Sequence, residues 1–402
     1  MNVAGIIAEY DPLHTGHEWQ IQQAKQMGAK AVVCVVSPSV VQRGGLSILP
    51  AHTRVKAALL AGADLVIQLP APYAASSAEQ FGAAAVFLLN SLGSVDSLVF
   101  GSESGDAAPL MQTAQVLQSE EFIQALKQEL NKGDSFALAR IRAMEKICPQ
   151  ALPFLEKPND ILGIEYCKAI LSQKSTIKPV AIQRQGAGHE GAPSGGFASA
   201  SWLRLQTAKD GVSGWAEYTP QCCEKLYQKA EQQGLLLNRT AMDFAILSRL
   251  RQMEKEEILQ IRGVGEGLEN RLLSGLKTAA SLEELYINMK CKRYPHARLR
   301  RLVLDTALKV PQSLPPFPPY LHFVGASQLG LQLLKQSTPS LPAGSSLAKL
   351  EHSNPQTALV AKLHNNAENL SALCRQSVQP MGTAYTNGFV IREKLIATME
   401  ES

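Results

Sequence analysis

The chain has few of the features that would place it outside ordinary globular proteins. No window approaches the ~20 consecutive apolar residues that cross a bilayer, and the first apolar stretch, Val3–Ala8, lacks a basic flank and runs directly into Glu9. A cytoplasmic protein with no membrane association is therefore expected. The seven cysteines, at 34, 148, 167, 222, 223, 291 and 374, include no CxxC pair. Cys222 and Cys223 are adjacent, too close for an ordinary disulfide or zinc knuckle, so reduced thiols are expected. Charge of either sign is sparse: 39 Lys+Arg against 35 Asp+Glu leave a formal net charge of +4, which by itself does not argue for nucleic acid. No GxxxxGK[ST] occurs, which excludes a P-loop, and there is no internal repeat. Nothing points to a protein partner.

What remains is ample for a large core. The 402 residues are 45% hydrophobic and 18% charged, and a chain of this length exceeds one ordinary domain, so two are expected. Up to about residue 210, short apolar runs (Val3–Ala8, Ala31–Val36, 65–69, 97–100 and Lys178–Gln183) alternate with amphipathic stretches at 16–27, 50–61, 77–92, 109–130 and 159–171, with a further helix starting at Ser199. This is the βαβ rhythm of a Rossmann-like parallel sheet covered on both faces. From 211 to 402 helical segments dominate (221–233, 241–250, 282–288), and a proline-rich connector at 311–319 leads to a final α/β portion with strands near 320–324 and 389–391. The fold class expected is α/β: a catalytic domain over 1–210 followed by a mostly helical domain over 211–402.

The most informative segment is Gly5-Ile6-Ile7-Ala8-Glu9-Tyr10-Asp11-Pro12-Leu13-His14-Thr15-Gly16-His17. A strand ends at a proline loop and a glycine opens the next helix, which puts the loop at the carboxyl edge of the sheet, where α/β proteins bind ligands. Free backbone N–H groups and the positive end of the helix dipole suit a phosphate there, and His14 and His17 add donors. Order and spacing match the HxGH signature of the nucleotidyltransferases, which act at the α-phosphate of ATP and release pyrophosphate. Zinc, the other use of paired histidines, lacks a third ligand nearby, so no metal site is expected here. Gly186-Ala187-Gly188-His189-Glu190-Gly191 matches GxGxxG, but Pro193 and further glycines follow where a dinucleotide site needs a helix. Downstream, Phe197-Ala198-Ser199-Ala200-Ser201-Trp202-Leu203-Arg204 sets hydroxyls at a helix start with an arginine one turn on, and resembles the second phosphate motif of small nucleotidyltransferases.

Four segments read together carry a closer resemblance. The first is the HxGH strand and turn; the others are Val99-Phe100-Gly101-Ser102-Glu103, Lys157-Pro158-Asn159-Asp160-Ile161-Leu162-Gly163, and Gln183-Arg184 leading into Gly186-Ala187-Gly188. Together they resemble the bacterial tRNA(Met) cytidine acetate ligases over essentially the whole chain. The resemblance implies two steps: acetate and ATP give acetyl-adenylate and pyrophosphate, and the acetyl group passes to the wobble cytidine of elongator tRNA(Met). Carried over position by position, it places the ATP contacts on the segment from Ile7 through Ala8, Glu9, Tyr10, Asp11, Pro12, Leu13, His14, Thr15, Gly16, His17, Glu18 and Trp19 to Gln20, and on Gly101, Asn159 and Arg184. Ser199, Ser201 and Arg204 join them as phosphate candidates, and His14 and His17 as the catalytic pair. The family usually has asparagine where this chain has Asp11, a carboxylate beside a polyanion. Mg²⁺ is the expected companion of ATP, although no sequence-visible site holds it.

Lys290, Lys292, Arg293, Arg298, Arg300 and Arg301 fall within twelve residues with no acid among them, accompanied by Tyr294 and His296. A run like this is often a solvated helix face, but with the resemblance it becomes the candidate tRNA surface. The glycine-rich turn at 261–271 is a second place for an RNA phosphate. Two other readings compete: a nucleotidylyltransferase acting on a phosphate-bearing metabolite, which leaves the second half unexplained, and a non-catalytic RNA-binding protein, against which the intact His14 and His17 argue.

Overall fold

Val3–Ala8 (β1) alternates its side chains between two cores, with Val3 and Ile7 entering one and Ala4 and Ile6 the other. Ala31–Val36 (β2) is an almost uninterrupted β-branched run, buried along its whole length, as a strand covered on both faces requires. The remaining strands are Val40–Val41 (β3), Gly45–Leu46 (β4), Leu65–Gln68 (β5), Ser97–Ser102 (β6), Lys178–Gln183 (β7), Leu321–Ala326 (β8), Ala343–Gly344 (β9) and Val390–Ile391 (β10). The computed structural model describes residues 2–133, 135–185, 193, 195–291 and 294–400.

The main sheet runs β10-β8-β5-β2-β1-β6-β7, with β9 beside β8. The five strands from β5 to β7 are parallel, as the sequence predicts, in the order β5-β2-β1-β6-β7. β8 joins antiparallel to β5, pairing Leu65 with Ala326, so the sheet is mixed. The last quarter of the chain therefore extends the sheet that the first hundred residues begin. Its docking is close: a Cβ on Gly330, in the Gln328–Gln336 helix, would lie 1.8 Å from the Asp64 carbonyl oxygen. The intervening helices Arg239–Arg251, Leu268–Leu276, Leu282–Met289 and His296–Leu308 bury Leu250, Leu272, Leu285 and Leu299 in a cluster continuous with one face of the sheet.

The single helix predicted over 109–130 is two, Ala107–Gln118 and Glu120–Asn131. Ser119 between them is extended (φ −71°, ψ 150°), and its hydroxyl accepts the Phe122 N–H as the cap of the second. The Val40–Leu46 hairpin and the long Pro355–Leu373 helix have no counterpart among the elements expected from the sequence.

Candidate functional site

At the carboxyl ends of β1, β6 and β7 lies a cavity of about 330 Å³, walled by the starts of the Thr15–Gln26, Pro158–Ser172 and Ala200–Asp210 helices. β1 leads away to β2 on one side while β6 lies on the other, which is the switch point where open α/β sheets bind ligands. The chain leaves β1 through Tyr10 in the left-handed region (φ 49°) and a cis Asp11–Pro12 peptide.

His14 is the N-cap of the Thr15–Gln26 helix. Its Nδ1 accepts the Gly16 N–H at 3.1 Å, and His17 Nδ1 accepts the His14 N–H at 3.3 Å. With both Nδ1 atoms engaged as acceptors, each neutral ring carries its proton on Nε2. Burial, followed by the Arg184 and Arg204 guanidiniums, drives the His14 pKa down to about 3. Burial, then His14 and the same arginines, holds His17 well below the usual histidine range. The pair is thus two neutral Nε2–H donors. Gly16 is required because a Cβ there would meet His14 Cε1 at 2.9 Å.

Three arginines stand around these rings. Arg204 donates through Nη1 to the Asp11 carbonyl at 2.6 Å and through Nη2 to Ser201 Oγ at 3.1 Å. Arg43, from the β3–β4 hairpin, donates to the same Ser201 oxygen at 3.2 Å. Arg184 crosses the end of β6 above Gly101, where a Cβ would lie 3.1 Å from Arg184 Cγ. Burial lowers the Arg184 pKa, and Glu103 partly opposes the shift. The Asp11 carboxylate is engaged by the protein itself: Oδ1 accepts the Ile48 N–H at 2.7 Å, and Oδ2 lies 3.6 Å from Arg204.

Asn159 is no cap; Lys157 holds the N-cap position of the Pro158–Ser172 helix without a side-chain bond. The capping acceptor comes from outside. Glu103 receives the N–H groups of Asn159 and Asp160 and, at 2.6 Å, the Asn159 side-chain Nδ2. Asn159 itself lines the cavity. Phe81, Phe100, Leu162 and Tyr166 form an apolar wall beside it, suited to the face of a base.

All the nucleotide residues expected from the sequence line the cavity except Pro12, Leu13, Thr15 and Glu18. Leu13 is core, Thr15 donates to the Gly196 carbonyl, and Glu18 accepts from Cys222 Sγ. Gln20 lines the cavity while donating to the Val99 carbonyl, and Ser199 caps its helix by accepting the Trp202 N–H. Two charged residues of the site, Arg43 and Glu103, are not among those the sequence singles out, nor are Phe81 and Tyr166 of the apolar wall. Glu103 closes the motif that contains Gly101, whereas nothing local marks Arg43.

The basic stretch divides. Lys290 and Arg298 are exposed, and the Arg298 guanidinium lies 4.5 Å from the Tyr294 ring centroid. Arg300 reaches Glu283 at 3.4 Å, whereas Arg301 turns inward and donates to the Gln42 carbonyl. Lys292, Arg293 and the glycine run at 186–191 lie outside the described residues. Among the described residues no group of three His, Cys, Asp or Glu could hold a metal ion, and no helix is long and apolar enough to cross a membrane.

Comparison with known proteins adds to this geometry. The family model for HIGH nucleotidyl transferases matches residues 1–384. The tRNA(Met) cytidine acetate ligase of Caldanaerobacter subterraneus is 37% identical over 349 residues, 84% of this chain and 86% of the relative. That of Clostridium acetobutylicum is 32% identical over 412 residues, covering 97% of this chain and all (100%) of the relative. The crystal structure of Thermotoga maritima TmcAL bound with alpha-thio ATP superposes with a TM-score of 0.88 at 26% identity, covering 97% of this chain and 99% of that one.

Proposed function

The chain belongs to the HIGH nucleotidyl transferase family and, within it, to the tRNA(Met) cytidine acetate ligases, and from that premise we propose how its residues divide the work. The enzyme is an ATP-dependent acetate ligase that acetylates the wobble cytidine of elongator tRNA(Met). A carboxylate oxygen of acetate attacks the α-phosphorus of ATP, the bond to the β-phosphate oxygen breaks, and pyrophosphate leaves. The exocyclic amine of the cytidine then attacks the acetyl carbon of the adenylate, AMP departs, and the amine gives up a proton.

The observation that carries the site assignment is the pair of neutral Nε2–H donors at a helix N-terminus, ringed by Arg43, Arg184 and Arg204. His14 and His17 hydrogen-bond the α-phosphate oxygens where charge builds in the transition state. Arg184 and Arg204 neutralise the triphosphate, and Asn159 reads the adenosine. Glu9 and Asp11 each accept one backbone N–H, from Gln42 and Ile48, and among the described residues no group of three His, Cys, Asp or Glu could hold a metal ion. A Mg²⁺ ion entering with ATP would draw its ligands from phosphate and water oxygens and would supply charge neutralisation. Residues 1–210 supply the ATP chemistry, and 211–402 present the tRNA face through Lys290, Arg298 and Arg300, in the cytoplasm where tRNA is found.

The test is acetate-dependent exchange of label between pyrophosphate and ATP without tRNA, followed by transfer of labelled acetate to tRNA(Met). Exchange without acetate, or none with it, overturns the reading. Arg184→Ala and Asn159→Ala should each raise the half-saturating ATP concentration about tenfold.

A further inference from the structure

Of the three guanidiniums around the cavity, one comes from an element that makes no contact with the main sheet's hydrogen-bond ladder. Arg43 sits at the tip of the β3–β4 hairpin, whose strands hold only the pairs Val40–Leu46 and Val41–Gly45. Two bonded pairs do not fix a tip in space, since even a longer isolated hairpin is marginal in water. The tip is fixed from two sides. On the β1 side the Gln42 N–H donates to Glu9 Oε1 at 2.6 Å. On the other side it rests on the His296–Leu308 helix: Arg301 Nη1 donates to the Gln42 carbonyl at 3.4 Å, and Gly44 lies directly on the helix backbone. Gly44 is in the left-handed region (φ +79°), and a Cβ there would stand 2.5 Å from the Arg301 nitrogen and 2.6 Å from the Arg300 carbonyl carbon. Both backbone conformation and contact therefore exclude any other residue.

At the cavity end, Arg43 and Arg204 both donate to Ser201 Oγ, at 3.2 and 3.1 Å. Two cations converge on one hydroxyl with the Glu9 carboxylate near both and Asp11 3.6 Å from Arg204, and a bound polyanion adds negative charge where the guanidiniums repel each other. Because Ser201 Oγ accepts both bonds, its own proton is available to the same anion.

We propose that Arg43 is a further triphosphate-binding residue and that the His296–Leu308 helix is its positioning element, acting through Gly44 and Arg301. The proposal rests on reading the cavity as the ATP site. The helix that exposes Arg298 thereby determines where a phosphate-binding guanidinium stands in a cavity otherwise built from residues 7–204.

The experiment measures acetate-dependent ATP–pyrophosphate exchange on the full chain without tRNA, with thermal unfolding of each variant as the control. Arg43→Ala is expected to raise the half-saturating ATP concentration by roughly ten- to hundredfold with a smaller change in kcat, and Arg43→Lys to recover part of the loss. Gly44→Ala, which leaves every cavity side chain in place, is expected to raise the same constant several-fold. Should it fail to fold, Arg301→Gln removes the helix's bond to Gln42 and should move the constant in the same direction. Unchanged ATP dependence in a folded Arg43→Ala overturns the binding role. Normal ATP dependence in folded Gly44→Ala or Arg301→Gln, with Arg43→Ala impaired, overturns the positioning role. Loss of exchange in His14→Ala beside unaffected hairpin variants would sink this proposal and spare the proposed function. Absence of exchange in the unaltered enzyme would sink both.

Discussion

The imidazole of His14 lies 3.8 Å, centroid to centroid, from that of His17, with the planes tilted by 31°. At that separation a proton taken up by one ring raises the cost of protonating the other, and the surrounding arginines raise it further. The rings are also joined through the backbone, because each Nδ1 holds an N–H of the same turn. They act as one unit. His14→Ala and His17→Ala should each lower the exchange rate by about 10²- to 10³-fold with unaltered circular dichroism, and the double variant should lose far less than the product. Near-normal rates in both single variants would remove the pair from the chemistry.

The buried and half-buried histidines also set a pH dependence of stability. The pKa values of His14 and His322 are pushed down to about 3, and those of His52 and His364 to about 4, all by burial first, against 6.5 in an unfolded chain. As pH falls below about 6.5, the unfolded chain takes up protons that the native state refuses. Stability is therefore full above that value and declines toward pH 4. The urea midpoint should fall steadily over this window, and His364→Gln should flatten the slope. A midpoint constant from about pH 7.5 to about 4.5 would contradict the assignment.

Asp11, the departure from the family's usual asparagine, hydrogen-bonds Ile48 through one oxygen and sits 3.6 Å from Arg204 through the other. Asp11→Asn keeps an acceptor for the Ile48 N–H and removes the negative charge beside Arg204. The expected result is a fold of nearly unchanged stability and a half-saturating ATP concentration lowered a few-fold. Asp11→Ala instead strands a buried N–H, at a cost of about 1–3 kcal/mol in urea unfolding. If Asp11→Asn weakens ATP binding, the carboxylate has a direct part in the site.

On the tRNA side, exposed Lys290 ends the Leu282–Met289 helix, and exposed Arg298 and half-exposed Arg300 lie on the His296–Leu308 helix. Replacing all three with Gln should weaken tRNA binding and reduce the slope of log affinity against log salt by up to about one unit for each RNA phosphate that is no longer neutralised. Acetyl-adenylate formation should persist in the same variant. An unchanged salt slope would make the cluster an ordinary solvated face.

The parallel half of the fold was legible because its signals are local: β1 and β2 are dense apolar runs, and the HxGH turn compresses strand end, loop and helix start into a dozen residues. The hairpin was not, since strands of two residues leave no period to detect, and with it went Arg43, whose neighbours in sequence say nothing of Ser201 far downstream. Glu103 was visible as part of a motif, yet its work as an external cap depends on a helix that begins more than fifty residues later. The antiparallel entry of β8 beside β5 is a tertiary choice of the same kind. The apolar run at 320–324 announces a strand but carries no mark of which edge it will join.

That edge has a consequence for how the enzyme comes into being. When the ribosome has delivered residue 210, every residue lining the nucleotide cavity exists, but β5 still lacks the neighbour that covers Leu65, Val66 and Ile67. The partner strand arrives at Leu321, and β10 closes the same side only at Ile391. Until then the nascent sheet carries an open, apolar edge, the kind of surface that pairs with other chains. The active site's scaffold is thus completed after the residues that line it, and a message truncated before Leu321 would leave the β5 edge open and yield an aggregation-prone fragment in place of a slower enzyme.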